Sequence, residues 1–414
     1  MTGKRRVVIT GMGVATPIGI GIQSFWDSLV EGRCGLGRVK SFDASGFASQ
    51  VGGELPDFQL SDVIPKGYRK SAKVMSRDIT IAVLCAYHAV VDAGLRTRCL
   101  IDRGDVQGPP NVDSTRFGAN IGAGLVCADL YELAAALSTA SDEKGEFSLT
   151  RWGAEGMSNL TPLWLLKFLP NMLACHVTIV HDAQAPSNTI TCGEASSHLA
   201  IGEAFRIIAR GDADVCICGG AESKINPMAM ARPHLLERLN VADNEHPHQS
   251  SRPFGALRTG MVAAEGGGLM ILESLEHARA RGARIYAEIV GFGASSSSES
   301  WISPDNNGQA TARSINKALS DADTQPGFID LAAPQGLGTL IHDAAEMAGW
   351  NAVFGERLST FPALTSRGSV GNCGAGAGAI DFSAMVLALY RNTIPPSLNT
   401  DQPDSVCKFC FAQR

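Results

Sequence analysis

An α/β fold, with parallel or mixed sheets covered by helices, is what this sequence predicts, and three observations predict it. Short apolar, β-branched runs alternate with segments of helical periodicity along the chain. Apolar residues make up 45% and charged residues only 18% of 414 residues, enough to bury a large core and to build two domain-sized halves. The 45 glycines suit a layered fold with tight turns and close helix packing.

Taken in order, Arg6 to Thr10 reads as a strand that stops at Gly11-Met12-Gly13, and an amphipathic helix follows through Phe25, Trp26 and Leu29. Strands at Phe117 to Gly122, Thr189 to Cys192 and Val215 to Gly219 alternate with helices at Ile79 to Ala93 and Ser197 to Arg210. A second series begins after Ser251-Arg252-Pro253-Phe254. It comprises a strand at Gly268 to Glu273, a helix at Leu275 to Arg281 and a strand at Ile285 to Val290. A helix at Ala310 to Asp321, a strand at Ile329 to Ala332 and helices at Asp343 to Val353 and Ala377 to Tyr390 complete it. The second series repeats the logic of the first, which divides the chain into halves 1–255 and 256–414 that share one core, with no polar linker between them. The run Ser295 to Ser298 reads as a solvated loop.

A net charge of −6 and the lack of a long Lys/Arg run argue against nucleic acid as a partner. No window of about 18 apolar residues is free of charges and breakers, and the first residues lead into a strand, so a membrane partner is not expected and a cytoplasmic location is. Most of the 11 cysteines sit in apolar segments and read as reduced core thiols. Cys407 and Cys410, like His246 and His248, are too few to hold zinc, and no metal is expected.

Helix Ser197 to Arg210 is small or apolar nearly all round, which marks a buried element. Glu194 stands just before it, where unpaired N–H groups and the positive end of the helix dipole favour a thiolate or an oxyanion. A carboxylate there is also stabilising as a plain helix cap, so both readings of Glu194 stay open. Cys192 reads as a core thiol or, less well, as a displaced nucleophile.

The stretch Pro186 to Ala204, with Gly219-Gly220-Ala221-Glu222, resembles the active-site region of β-ketoacyl synthases. Val7 to Gly19, Arg252-Pro253-Phe254, Ala264-Glu265-Gly266, Glu276 to Glu288 and Ile394 to Asn399 extend the resemblance over nearly the whole chain. The resemblance implies a thiolase-like, layered αβαβα fold built from two similar halves. It also implies a site made of a cysteine nucleophile, two histidines and a lysine. Those positions correspond here to Glu194, Gln335, Asn372 and Arg367. Condensation needs a thiolate to carry the acyl chain and donors to stabilise the enolate left by decarboxylation. Glutamate forms no acyl thioester, and glutamine and asparagine carry no proton charge near neutral pH. No intact catalytic residue is therefore expected. The family closes with a Gly-rich segment that supplies an oxyanion-hole amide and a gate, where this sequence reads Phe409 to Arg414.

Within the family, the pattern is similar to the chain-length factor, the β subunit of type II polyketide synthases. That branch implies a heterodimer with a ketosynthase α subunit and substrates delivered on acyl carrier protein. The phosphopantetheine arm belongs to the carrier, so the chain needs no cofactor of its own. Glutamine is the branch's usual residue at the nucleophile position, so Glu194 departs from it. Ala128, Tyr131 and Ala135 are expected to line a chain-length tunnel from one helical face. The alternatives are a malonyl carrier-protein decarboxylase, whose nucleophile-free relatives keep their histidines, and a partner subunit in fatty-acid or aryl-polyene synthesis.

Overall fold

A computed structural model describes residues 5–300 and 302–413. Its central sheet begins with β1 (Val7–Thr16), buried at every position. The glycines expected to end this strand lie inside it. Gly11 and Gly13 are needed for close approach: a Cβ on Gly13 would sit 2.2 Å from the Cys85 carbonyl oxygen and 2.4 Å from the Ala89 nitrogen. Those two residues belong to the covering helix, so the Gly-x-Gly pattern records a helix–sheet contact and not a turn.

Helix α1 (Ile22–Val30) buries Phe25, Trp26 and Leu29, and α2 (Arg77–Asp92) crosses β1 at the two glycines. Strand β2 (Phe117–Ala123) leads to α3 (Leu130–Ala140), and β3 (Ser187–Ile190) leads to α4 (Ser196–Ala209). After β4 (Val215–Ser223) comes α5 (Pro227–Leu235), and then β5 (Ala263–Ser274). The sheet runs in the order β1-β5-β4-β2-β3 within a nine-stranded assembly among the described residues. β5 is antiparallel to both β1 and β4, and β2 is parallel to β4 and β3. The strand expected to open the second series therefore lies in the middle of the first sheet. Its 12 residues are all buried, because it has neighbours on both edges and helices on both faces.

Further elements include β6 (Ala287–Ile289), α6 (Gln309–Asp321), α7 (Leu340–Phe354), β7 (Pro362–Ala363), α8 (Ala377–Arg391) and β8 (Cys410–Phe411). β6 pairs with β1, and β7 pairs in parallel with β8. The strand expected at Ile329 to Ala332 is reduced to one bridge between Ala332 and Ala363. Pro334 and Pro362 have no N–H with which to extend that ladder. Phe254, Phe361, Phe409 and Phe411 pack around β7 and β8 as a separate small core. Ser295 to Ser298 lies in a stretch without helix or strand, as expected.

Two large apolar clusters occupy opposite faces of the sheet. One joins α2 to β2, β4 and β5, and the other joins α4 and α8 to β1, β4 and β5. Helix α4 is thus held between the sheet and α8, which places its first turn at the carboxyl end of the parallel strands β2 and β3, where α/β sheets bind ligands.

Candidate functional site

The loop from β3 into α4 is shaped by Gly193 and Ser196. Gly193 is left-handed at φ 56°, a conformation that an L side chain rarely adopts. The Ser196 hydroxyl accepts from the Cys192 N–H at 2.8 Å and donates to the Gly193 carbonyl at 2.7 Å, closing a short turn over residues 193–195. Cys192 lies beyond the strand end and is exposed, contrary to its reading as a core thiol. Polar neighbours and the open turn keep it at the surface.

Glu194 points away from α4. The helix is preceded by Ala195 and has no side-chain cap, so the capping reading does not hold. The Glu194 Oε1 accepts a 3.0 Å hydrogen bond from Asn372 Nδ2. Asn372 is buried and its amide is oriented on its other side, where Oδ1 accepts from the Gly374 N–H at 3.0 Å. Its backbone bridges β5, donating to Val262 and accepting from Ala264. Residues 178 positions apart in sequence are therefore joined by one side-chain pair.

Burial pushes the Glu194 carboxyl up, but the Lys224 ammonium and then the Asn372 amide outweigh it and hold the group below its ordinary value. Lys224 stands at the end of β4, with its Nζ 3.0 Å from Glu222 Oε1. Burial lowers the Lys224 pKa, yet Glu222 and Glu194 hold it above the ordinary lysine value. The other Glu222 oxygen accepts from the Ala375 N–H at 2.6 Å. A Cβ at Gly374 would meet that same oxygen at 2.0 Å, so the turn after Asn372 admits only glycine. In this site Lys224 pairs with Glu222 and attracts Glu194, and the two carboxylates are tied to residues 372–375 through Asn372 and the Ala375 N–H.

Gln335 and Arg367 stand apart from this pair. The Gln335 and Gly336 N–H groups donate to the two oxygens of Glu346 at 2.7 and 3.0 Å, which fixes the backbone of that turn. Arg367 is fully buried and pairs with Asp381, which also accepts from Ser366 Oγ at 2.6 Å. Its guanidinium further donates to the Gly371 and Ala377 carbonyls, each at 3.1 Å, so it braces the turn that carries Asn372.

Lys224 and His342 were not singled out from the sequence, and Glu222 entered only as the end of a stretch that carries the resemblance. Charged residues at the end of an otherwise apolar strand were the available signal for Lys224 and Glu222. His342 joins Arg238 and Thr339 around a second cavity of about 310 Å³, with its Nδ1 2.8 Å from Thr339 Oγ1. Burial, and next the Arg238 charge, keep His342 below its ordinary pKa, against the pull of Glu194.

The expected tunnel residues divide. Ala128 precedes α3, which starts only at Leu130 behind its Asp129 cap, so the three do not share one helical face. Asp129 accepts from the Tyr131 N–H and stops the helix there. Ala128 and Tyr131 nevertheless line a common cavity of about 310 Å³, bounded also by Met75, Asp78, Phe168 and Asn226. Ala135 is exposed on α3 and is not part of that lining.

Comparison with known proteins completes the picture. The N-terminal domain of beta-ketoacyl synthases matches residues 4–278, and the C-terminal domain of the same family matches residues 286–401. The chain is 32% identical over 405 residues to 3-oxoacyl-(acyl-carrier-protein) synthase 2 of Vibrio harveyi, covering 97% of this chain and 90% of the relative. It is 33% identical over 405 residues to the protein of the same name from Synechocystis, covering 98% and 90%. Among solved structures, the ishigamide ketosynthase/chain length factor superposes with a TM-score of 0.81 at 29% identity, over 98% of this chain and 91% of that one. A type II PKS acyl-carrier protein complex with its ketosynthase bound to the hexaketide gives a TM-score of 0.81 at 27% identity, over 99% and 92%. With both domains matched along nearly all of its length, this chain belongs to the beta-ketoacyl synthase family and has its thiolase-like fold.

Proposed function

We propose that this chain is a non-catalytic chain-length factor, which pairs with an active ketosynthase subunit and shapes the space that receives a growing polyketide on acyl carrier protein. The observation that carries this reading is the Glu194 carboxylate, hydrogen-bonded by Asn372 and kept charged by the nearby Lys224, where a β-ketoacyl synthase needs a free thiolate. A carboxylate bound in this way offers neither a thioester-forming sulfur nor an exchangeable proton near neutral pH.

A partner is supported by the sheet edge. β3 ends the sheet, and its outer edge has no strand neighbour among the described residues. Leu125, Val126, Leu130, Tyr131, Leu163 and Ile179, all between β2 and β3 in sequence, are exposed, an apolar character typical of an interface. The two ketosynthase assemblies found by structural comparison, one with a chain length factor and one with an acyl-carrier protein, support the kind of partner.

Co-expression with candidate ketosynthase subunits tests the reading. A stable heterodimer that makes polyketide with acyl carrier protein is expected, whereas the isolated chain makes none. Ala128→Phe, which fills the cavity beside Tyr131, is expected to shorten the product by at least one ketide unit, as read by mass spectrometry. Condensation by the chain alone, or an unchanged product from the filled cavity, would count against it.

A further inference from the structure

The cavity beside Ala128 carries a carboxyl that the reading above does not use. Asp78 opens onto it from the first turn of α2. Its Oδ1 accepts from the Ser223 N–H at 2.9 Å, while Oδ2 has no protein partner among the described residues. Beside it Asn226 uses its side-chain oxygen twice, accepting from Cys127 Sγ at 3.0 Å and from the Ala229 N–H at 2.8 Å. The Asn226 Nδ2 has only a long 3.5 Å contact to the Ser223 carbonyl. Two polar groups with spare hydrogen-bonding capacity thus share a cavity whose other walls include Met75, Ala128 and Phe168.

We propose that Asp78, with Asn226, is a specificity-determining pair that donates hydrogen bonds to carbonyl oxygens of the bound chain, selecting a poly-β-ketone over a saturated acyl chain. The proposal rests on the chain-length reading for the cavity's role and its polyketide occupant, and adds the residues that recognise that occupant's carbonyl groups. A saturated chain would strip water from both groups and return nothing, whereas a chain with an oxygen on every second carbon satisfies them. Burial, and then the nearby Glu222, raise the Asp78 pKa to about 7, with Glu265 acting the same way and Lys224 and the Ser223 N–H opposing. The carboxyl is therefore a donor below that pH. Arg77 on the same helix is engaged by Glu265, and Lys167 across the cavity by Glu132.

The test is calorimetric binding of two six-carbon N-acetylcysteamine thioesters to the full chain, one with keto groups at carbons three and five and one saturated. The diketo probe is expected to bind about tenfold tighter. Asp78→Leu should abolish that preference and Asp78→Asn, which keeps a donor, should retain most of it. Ala128→Phe should weaken both probes, locating them in this cavity. The wild-type preference should fall as pH rises from 6 to 8.5, with D78N flat. Equal binding of the two probes, or a preference that survives D78L, overturns the proposal. An Asp78-dependent preference in a chain that supports no polyketide synthesis with any ketosynthase would leave it standing and remove the chain-length reading instead.

Discussion

At position 194 the chemistry turns on one carboxylate, bonded by Asn372 and attracted by Lys224. The carboxylate is lowered by Lys224 and Asn372 against its own burial, so it stays charged and bound at neutral pH. On the reading proposed above, restoring a sulfur alone does not restore a nucleophile. Asn372 and Gln335 carry no imidazole to take its proton, and Lys224 is committed to Glu222. Glu194→Cys is expected to gain no acyl adduct when incubated with acyl thioester, as read by intact mass. A stable adduct with turnover in the single mutant would show that the network is not what silences the site.

At the scale of elements, the contact between β1 and α2 is the least forgiving. Backbone atoms of α2 stand against Gly13 where a side chain would go. A methyl group there requires the helix to move off the sheet at the centre of a fully buried layer. Gly13→Ala is therefore expected to cost about 3 kcal/mol in urea unfolding, near the upper end for overpacked cores. An exposed glycine such as Gly46, with open space around its Cβ and no left-handed φ, is the control for the fold. The same contact shows why element order was legible in the sequence while strand length was not. A Gly-x-Gly step reads as a turn locally, and only the helix lying across it turns the two glycines into a packing surface. The position of β5 was hidden for a related reason. Its apolar run announces a buried strand, but which sheet it enters depends on neighbours more than 40 residues away.

Over the whole molecule, carboxyls shifted in opposite directions set the response to pH. Asp78 has its folded pKa raised to about 7 by burial, so the stability it contributes is fully present below its ordinary value of 3.8 and is lost as pH rises through 7. For Glu273, burial acts upward, but hydrogen bonds from Arg281, His277 and Thr10 bring it down to about 2. Asp214 is brought to about 2 chiefly by Arg116. Their contributions are present above the ordinary values of 4.5 and 3.8 and disappear as pH falls toward 2. Thermal unfolding of the chain is expected to show a maximum at mildly acidic pH, about 4 to 6, with losses on both sides. In Asp78→Asn the loss on the alkaline side should shrink, and an unchanged curve would show that this carboxyl is not buried in the folded state.

The sequence by itself determined the layered α/β class and the order of most elements, because apolar periodicity is a local property of the chain. Tertiary structure alone decided that Glu194 is hydrogen-bonded to Asn372 and does not cap its helix, and that Ala128 and Tyr131 share a cavity with Asp78 while Ala135 does not. Which polar groups meet, and which of them stay charged, follows from distances and burial created by packing segments far apart in the chain. No pattern within any one segment carries that information.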